Sequence, residues 1–282
     1  MRWLTYRHAG RVSYGYVDAS GEGVVDVGAR AGAPADLKGA IAAEQLDLLA
    51  SDAAAAADFA LANIEYLPPI PNPDKVLCVG LNYKAHQEET GRGGEGFPTI
   101  FTRFGNAQVG HEQPMVRPLE SATLDYEGEI ALVVGKPGRR ISQAAALSHI
   151  AGVSIYNDGS VREFQRQTSQ FTPGKNFMAT GGFGPWMMTL DEVGDLQSLA
   201  LTTRLNGEVM QQATSDMLVH GFEEIIEYCS TFTELVPGDV LVTGTPGGVG
   251  AARKPPVFMD EGDVIEVAVE PIGLLRHQVV RG

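Results

Sequence analysis

The sequence has 282 residues, a length that suits one large domain or a large domain with a small appendage. It carries 21 Lys and Arg against 35 Asp and Glu, so the formal net charge of −14 disfavours nucleic acid as a partner. Two cysteines without metal-binding spacing, no signal core and no apolar run of ~20 residues predict a soluble cytoplasmic protein that neither enters nor binds a membrane. An anionic substrate would need a metal ion or a basic cluster inside its pocket.

The pattern of apolar residues at the start of the chain predicts a small α/β domain over residues 1–67. Short strands are expected at 3–6, 12–16 and 24–27, and one helix over 36–62, which includes the alanine run Ala53 to Ala57. Four prolines fall within residues 67–74, and proline cannot continue a helix. We therefore place a linker at 68–74 and a second, larger domain at 75–282.

The larger domain predicts a β-rich α+β fold, because 34 glycines and 16 prolines indicate many turns. Helical segments are expected near NYKAHQEE, at 142–150 and at 218–230, and a glycine-rich loop at 172–185. The remaining apolar runs predict strands: VLCVGL, PTIFTRF, EGEIALVV, VSIYN, VLVTG, 264–269 and 274–280.

Two glutamates lie two residues apart in the predicted strand EGEIALVV. Period-two alternation places Glu127 and Glu129 on one face, which continues as Ala131 and Val133. The opposite face is also apolar, so the strand is predicted to be buried on both sides. An E-x-E pair is often a solvated strand face, but two buried acids need a cation.

A third acid, Asp158, follows the predicted strand VSIYN and immediately precedes Gly159. Three carboxylates without cysteine or paired histidine form an all-oxygen site, which favours a hard cation. We predict Mg²⁺ or Mn²⁺ bound by Glu127, Glu129 and Asp158, with Ca²⁺ as a possible substitute.

Two further sets of residues are candidates for chemistry. His86 and Glu89 lie three apart on a predicted helical turn, so they can form a base with its orienting carboxylate, although most such pairs are surface residues. The glycines that follow predict a mobile lid at 84–97. Lys175 in FTPGKNF is held by an irregular backbone, and the loop of residues 243–250 can offer Gly244 and Thr245 to a carboxylate.

An ordered set of motifs resembles the fumarylacetoacetate hydrolase family, in its acylpyruvate hydrolase and 2-hydroxyhepta-2,4-diene-1,7-dioate isomerase-like branch. The motifs span roughly residues 74–282: GLNYKAHQEE, DYEGEIALVVG, YNDGSVREFQ, TPGKNF, GPW and LVTGTPGGVG. The resemblance implies a mixed β-sandwich roll, usually a homodimer, with Mg²⁺ or Mn²⁺ on the three acids. This chain departs from many members at Leu81, which is usually arginine, and at Arg103, which is usually lysine.

The resemblance also implies roles for individual residues. His86 and Glu89 match a pair on a lid, Lys175 matches a catalytic lysine, and Thr245 matches the position that binds the substrate carboxylate. Tyr83, Arg103 and Gly244 are expected to bind substrate beside it.

The expected activity is hydrolysis of a C–C bond in an acylpyruvate, a small 2-oxo carboxylic acid, to pyruvate and a carboxylic acid. In that reaction the metal ion stabilises the pyruvate enolate as leaving group, His86 deprotonates a water, and Lys175 supports the developing negative charge. Decarboxylation of oxaloacetate and isomerisation or hydration of a 2-hydroxydienoate remain alternatives within the family. A non-catalytic binding protein on the same scaffold is an alternative of another class.

Overall fold

The computed structural model describes residues 1–51, 55–93 and 96–282. The first strands are β1 (Arg2–His8), β2 (Arg11–Val17), β3 (Gly23–Asp26), β4 (Phe59–Ala60), β5 (Glu65–Tyr66), β6 (Val76–Gly80), β7 (Thr99–Arg103), β8 (Gln108–Val109) and β9 (Met115–Arg117). They are followed by β10 (Leu124–Asp125), β11 (Gly128–Val134), β12 (Ile150–Asp158), β13 (Ser160–Val161), β14 (Gly181–Thr189), β15 (Ala200–Leu205), β16 (Glu208–Thr214), β17 (Val240–Val242), β18 (Val264–Glu270) and β19 (Gly273–Arg281).

Short helices connect these strands. They are α1 (Leu37–Ala42), α2 (Leu46–Leu49), α3 (Lys84–Thr90), α4 (Gln143–Ala146), α5 (Arg162–Gln165), α6 (Thr172–Lys175), α7 (Leu190–Val193) and α8 (Phe222–Phe232). None of the helices in the described residues is long and apolar enough to cross a membrane. The predicted β-rich α+β fold class is confirmed.

One large sheet runs through most of the molecule in the order β4-β3-β2-β1-β14-β12-β11-β17-β6-β7. A second sheet, in the order β16-β15-β18-β19-β9, packs against it. The N-terminal strands belong to the large sheet, because β1 pairs with β14 at Arg2 and Met188. The boundaries proposed at residues 67 and 75 stay a prediction.

Strand β11 is buried on both faces, as the sequence predicted. Ile130, Leu132 and Val134 pack on one face with α8 and the second sheet, whereas Ala131 and Val133 pack on the other face with the N-terminal segment. Apolar burial on both sides fixes the register of this strand, since a slip of one residue would exchange its two faces. The acids at its start are thereby placed on a rigid element.

Two predictions of secondary structure are wrong. The helix over 36–62 is instead α1, α2 and β4, because Glu44 adopts a left-handed conformation (φ 52°) that ends the first helix. Of the alanine run, Ala53 and Ala54 lie outside the described residues. The loop at 172–185 contains α6 and the start of β14, where Gly182 is required because a Cβ would lie 2.3 Å from Nε2 of His277.

Candidate functional site

Three buried carboxylates meet where β11 and β12 pair. Glu127, Glu129 and Asp158 each offer an oxygen within 4.8 Å of the others, and each residue is at most 4% exposed. The Asp158 N–H donates to the Glu127 carbonyl at 2.8 Å, which fixes the two backbones together. Gly128 separates the glutamates because a side chain there would collide with the Thr203 hydroxyl of the second sheet. The predicted acidic triad is therefore assembled.

Lys175 is buried among these acids. Its Nζ lies 2.6 Å from Oε2 of Glu127 and 2.6 Å from Oδ2 of Asp158. Burial alone would raise the pKa of Glu127, but Lys175 and Arg162 outweigh burial and hold that pKa below its ordinary value. Burial would lower the pKa of Lys175, yet Asp158 and Glu127 raise it, so the lysine stays a cation.

Glu129 is held differently. Its Oε2 accepts a hydrogen bond from the Gly244 N–H, and within the described residues it has no ion pair. Burial, followed by repulsion from Asp158 and Glu127, raises the pKa of Glu129 well above its ordinary value. A divalent cation would remove this repulsion, and three oxygen donors suit a hard ion. The residues present therefore fit a divalent metal, whose identity they do not decide.

Arg103 lies behind the triad. Its Nη1 donates to Oδ1 of Asp158 at 2.6 Å and to the Gly159 carbonyl at 2.9 Å, and its Nη2 donates to Thr180. The side chain is fully buried and does not line the cavity described below. This geometry suits a residue that positions Asp158, whereas the expected contact of Arg103 with substrate stays a prediction.

The predicted His86–Glu89 pair is formed on α3. Nδ1 of His86 lies 2.7 Å from Oε1 of Glu89, and Oε2 of Glu89 accepts a hydrogen bond from the Gly248 N–H at 2.8 Å. A carboxylate at Nδ1 places the proton on that nitrogen, which leaves Nε2 as the basic atom. The loop of residues 243–250 thus orients Glu89, and Glu89 in turn orients His86.

Thr245 lies on the same loop. Its hydroxyl donates to the Gly128 carbonyl at 2.9 Å and accepts from Nε2 of Gln211 at 2.8 Å. The neighbouring Gly244 has φ 107°, a conformation that favours glycine and points its N–H at Glu129. The loop therefore connects the triad to the His86–Glu89 pair through its backbone.

A cavity of approximately 340 Å³ brings most of these groups together. His86, Glu89, Glu127, Glu129, Lys175 and Thr245 line it, whereas Tyr83, Arg103, Asp158 and Gly244 do not. Tyr83 is buried, and burial followed by the charge of Glu129 raises its pKa. The roles predicted for all ten residues stay predictions. Six of these ten residues line the same cavity.

Two residues of the site were not identified from the sequence. Arg162 donates from Nε to Oδ2 of Asp125 at 2.8 Å, and its Nη1 lies 2.6 Å from Oε1 of Glu127. Asp125 also accepts from the Gly250 and Ala251 N–H groups. The signal was present in the sequence, since Asp125 continues the alternation of acids and Arg162 follows Asp158 by four residues.

Comparisons with known proteins identify the family. The model of the fumarylacetoacetate hydrolase C-terminal domain matches residues 75–280. A mitochondrial oxaloacetate tautomerase of Bos taurus is 40% identical over 219 residues, which cover 77% of this chain and 70% of that protein.

Two solved structures match over the full length of both chains. Fumarylacetoacetate hydrolase of Exiguobacterium antarcticum has a TM-score of 0.86 and 32% identity. The 5-carboxymethyl-2-hydroxymuconate delta-isomerase of Mycobacterium smegmatis has a TM-score of 0.79 and 30% identity.

The family match spans the triad, Lys175 and the His86–Glu89 pair, and the relatives share the fold over the whole chain. The protein therefore belongs to the fumarylacetoacetate hydrolase family of enzymes.

Proposed function

We propose that this protein is a divalent-metal-dependent hydrolase that cleaves an acylpyruvate to pyruvate and a carboxylic acid. The proposal is carried by one observation: the His86–Glu89 pair and two carboxylates of the triad, those of Glu127 and Glu129, line one cavity. Hydrolysis of a C–C bond needs both an activated water and a stabilised leaving group, and the two sets of residues suit these two tasks.

Glu127, Glu129 and Asp158 would hold Mg²⁺ or Mn²⁺. Such an ion supplies Lewis-acid polarisation to the carboxylate and 2-oxo oxygens of a substrate. Lys175 contacts two of the three acids and lines the cavity, so its ammonium can lie beside the negative charge that develops as pyruvate departs. Thr245 also lines the cavity, and backbone N–H groups of its loop can donate hydrogen bonds to the substrate carboxylate.

His86 would take a proton from water at Nε2. The hydrogen bond from Nδ1 to Glu89 fixes the orientation of the ring, and the Gly248 N–H fixes Glu89 in turn. The activated water would attack the carbonyl carbon at position 4 of the acylpyruvate. Cleavage between carbons 3 and 4 then yields the carboxylic acid and the enol form of pyruvate.

The cavity has room for a small 2-oxo acid that carries an acyl group. About 340 Å³ falls within the range of cavities that hold drug-sized ligands. The cavity also has apolar walls, which Val79, Phe101, Phe171 and Val249 form. An acyl chain could pack against these apolar walls.

Oxaloacetate tautomerisation is the second candidate. The Bos taurus relative, which is 40% identical, is an oxaloacetate tautomerase. His86 could transfer a proton between carbon 3 and the enol oxygen of oxaloacetate instead of activating a water.

A direct assay separates the two candidates. Purified protein with Mg²⁺ is given acetylpyruvate or oxaloacetate, while pyruvate release and the enol absorbance are both recorded. Metal-dependent formation of equimolar pyruvate and acetate from acetylpyruvate is the expected result. Metal-dependent loss of enol absorbance from oxaloacetate, without any cleavage of acetylpyruvate or a longer acylpyruvate, would contradict hydrolysis and favour the tautomerase.

A further inference from the structure

Asp125 is a buried carboxylate that lies outside the cavity but contacts residues on two sides of the site. It ends β10, is fully buried and is not among the residues that line the cavity. Its Oδ1 accepts hydrogen bonds from the Tyr126 N–H at 2.9 Å and from the Gly250 N–H at 2.8 Å. Its Oδ2 accepts from the Ala251 N–H at 2.9 Å and from Nε of Arg162 at 2.8 Å. A carboxylate has about four lone-pair sites, so Asp125 is placed to hold other residues of the protein rather than a substrate.

The backbone contacts connect Asp125 to His86. Gly250 ends the loop that orients Glu89, and Gly248 in the same loop donates its N–H to Oε2 of Glu89 at 2.8 Å. Oε1 of Glu89 lies 2.7 Å from Nδ1 of His86. The position of the Gly248 N–H decides where Glu89 is held, so a shift of the loop is passed on to the histidine.

The close approach of Asp125 to the loop requires glycine at position 250. A Cβ there would lie 2.6 Å from Oδ1 of Asp125 and 1.8 Å from the Val257 carbonyl oxygen. Both distances are far shorter than van der Waals contact, so any side chain would push the carboxylate or the loop away. Gly250 therefore keeps the contact between Asp125 and the loop possible.

The loop is also attached at points that do not involve Asp125. Nε2 of Gln211 donates to the Pro246 carbonyl at 2.9 Å, and the Tyr126 hydroxyl donates to the Gly248 carbonyl at 3.1 Å. These contacts should keep the loop folded when the carboxylate of Asp125 is changed. A variant at Asp125 therefore tests the position of the loop rather than its folding.

The side-chain contact connects Asp125 to the triad. Nε of Arg162 donates to Asp125, and Nη1 of the same arginine lies 2.6 Å from Oε1 of Glu127. All three side chains are buried, and the planar guanidinium between the two carboxylates fixes how far apart they lie. Asp125 therefore holds the loop at a fixed place relative to the acids that would bind the metal ion.

We propose that Asp125 is a positioning residue of the site. It holds the loop where the Gly248 N–H fixes Glu89, and it thereby keeps the proton of the His86 ring on Nδ1 and leaves Nε2 as the basic atom. The inference deepens the proposed function and rests on it for the role of His86 as general base. The position of the proton, in contrast, can be measured without any substrate.

The tautomer of His86 is the direct readout. A neutral imidazole in water favours the proton on Nε2, whereas a carboxylate at Nδ1 draws the proton to that nitrogen. ¹⁵N NMR of protein labelled at its histidine side chains reports the tautomer at about pH 8, above the ordinary pKa of histidine. The signals of His86 are assigned by their loss in His86→Gln. With Mg²⁺ present, we expect the Nδ1–H form in the wild-type protein.

Two variants change the contact from its two sides. Asp125→Asn keeps the shape of the side chain but presents an amide N–H to a donor in place of an acceptor. Gly250→Ala places a methyl group against the carboxylate. In both variants we expect the Nε2–H form of His86 to become the major one, because Glu89 is no longer held at Nδ1. Thermal melting shows that each variant is folded.

Asp239→Asn is the matched control. Asp239 is also fully buried, accepts hydrogen bonds from the Lys75 and Val236 N–H groups, and pairs with a cation, Nζ of Lys75, at 2.9 Å. It is not among the residues that line the cavity. The same substitution there should leave His86 in the Nδ1–H form.

The outcomes separate the inference from the proposed function. Folded Asp125→Asn and Gly250→Ala proteins that keep the Nδ1–H form would overturn the inference. A wild-type protein in the Nε2–H form, or an Asp239→Asn protein that changes as much as Asp125→Asn, would overturn it as well. If the wild-type protein cleaves no acylpyruvate, the proposed function fails, and the NMR measurement still decides whether Asp125 positions His86.

Discussion

Arg103 and Asp158 form an ion pair that is closed to solvent, with Nη1 of the arginine 2.6 Å from Oδ1 of the aspartate and both side chains fully buried. If Arg103 is removed, the buried charge of Asp158 keeps Lys175 as a partner but loses part of its compensation. We expect Arg103→Met to lower the free energy of unfolding by about 3–5 kcal/mol, and Arg103→Lys to lower it less. Chemical denaturation measures both. An Arg103→Met protein as stable as wild type would show that the pair does not hold Asp158.

Metal removal should abolish turnover. Glu127 and Asp158 are paired with Lys175, Arg162 and Arg103, but Glu129 has no ion pair among the described residues and is repelled by both acids when no metal is bound. Exhaustive treatment with a chelator should eliminate activity, and added Mg²⁺ or Mn²⁺ should restore it. Full activity at a metal content shown by elemental analysis to be negligible would contradict the assignment of the triad.

Glu129→Gln should have opposite effects on metal binding and on stability. The amide has the shape of the carboxylate but no charge, so it weakens metal affinity while it removes repulsion from Asp158 and Glu127. We expect a higher Tm than that of wild type when both proteins are free of metal, and a smaller rise on adding Mn²⁺. A metal-free variant that melts below wild type would mean that Glu129 is stabilised by its Gly244 contact more than it is destabilised by its neighbours.

Stability should fall as the pH drops below neutrality because of two histidines, the buried His277 and the partly buried His111. Burial lowers the pKa of His277 and of His111 from 6.5 to about 4. Below pH 6.5 the unfolded chain binds protons that the folded chain does not, so the stabilisation is complete above about pH 6.5 and is lost progressively towards pH 4.

The variant His277→Asn isolates this effect. Asparagine can still donate a hydrogen bond to the Gln113 carbonyl, which Nδ1 of His277 contacts at 2.8 Å, but it does not titrate. Urea midpoints for both proteins between about pH 7 and about pH 5 should show a shallower decline in the variant. Parallel curves would exclude His277 as a source of the acid sensitivity.

The three acids of the triad could be predicted from the sequence, whereas the residues that pair with them could not. The alternation of Glu127 and Glu129 within an apolar strand gives their common face directly, and this is what the structure has. Arg162 and Asp125 were missed because tertiary contacts, rather than spacing, decide which cation pairs with a buried acid. The helix over 36–62 was overpredicted because the helix propensity of alanine carries no information about the backbone reversal at Glu44. The use of Gly182 for close packing likewise depends on His277, almost a hundred residues later.

In the proposed reaction, His86, oriented by Glu89, activates water at the metal site. The most direct measurement is kcat for pyruvate release from an acylpyruvate by His86→Ala at full metal occupancy. We expect a loss of roughly 10²–10⁴-fold, the usual contribution of a positioned general base. His220→Ala is the matched control, because His220 pairs with Glu224 at 2.8 Å but does not line the cavity, and it should leave kcat within about twofold. A His86→Ala enzyme that binds its metal fully and retains the wild-type kcat would show that His86 does not activate the water.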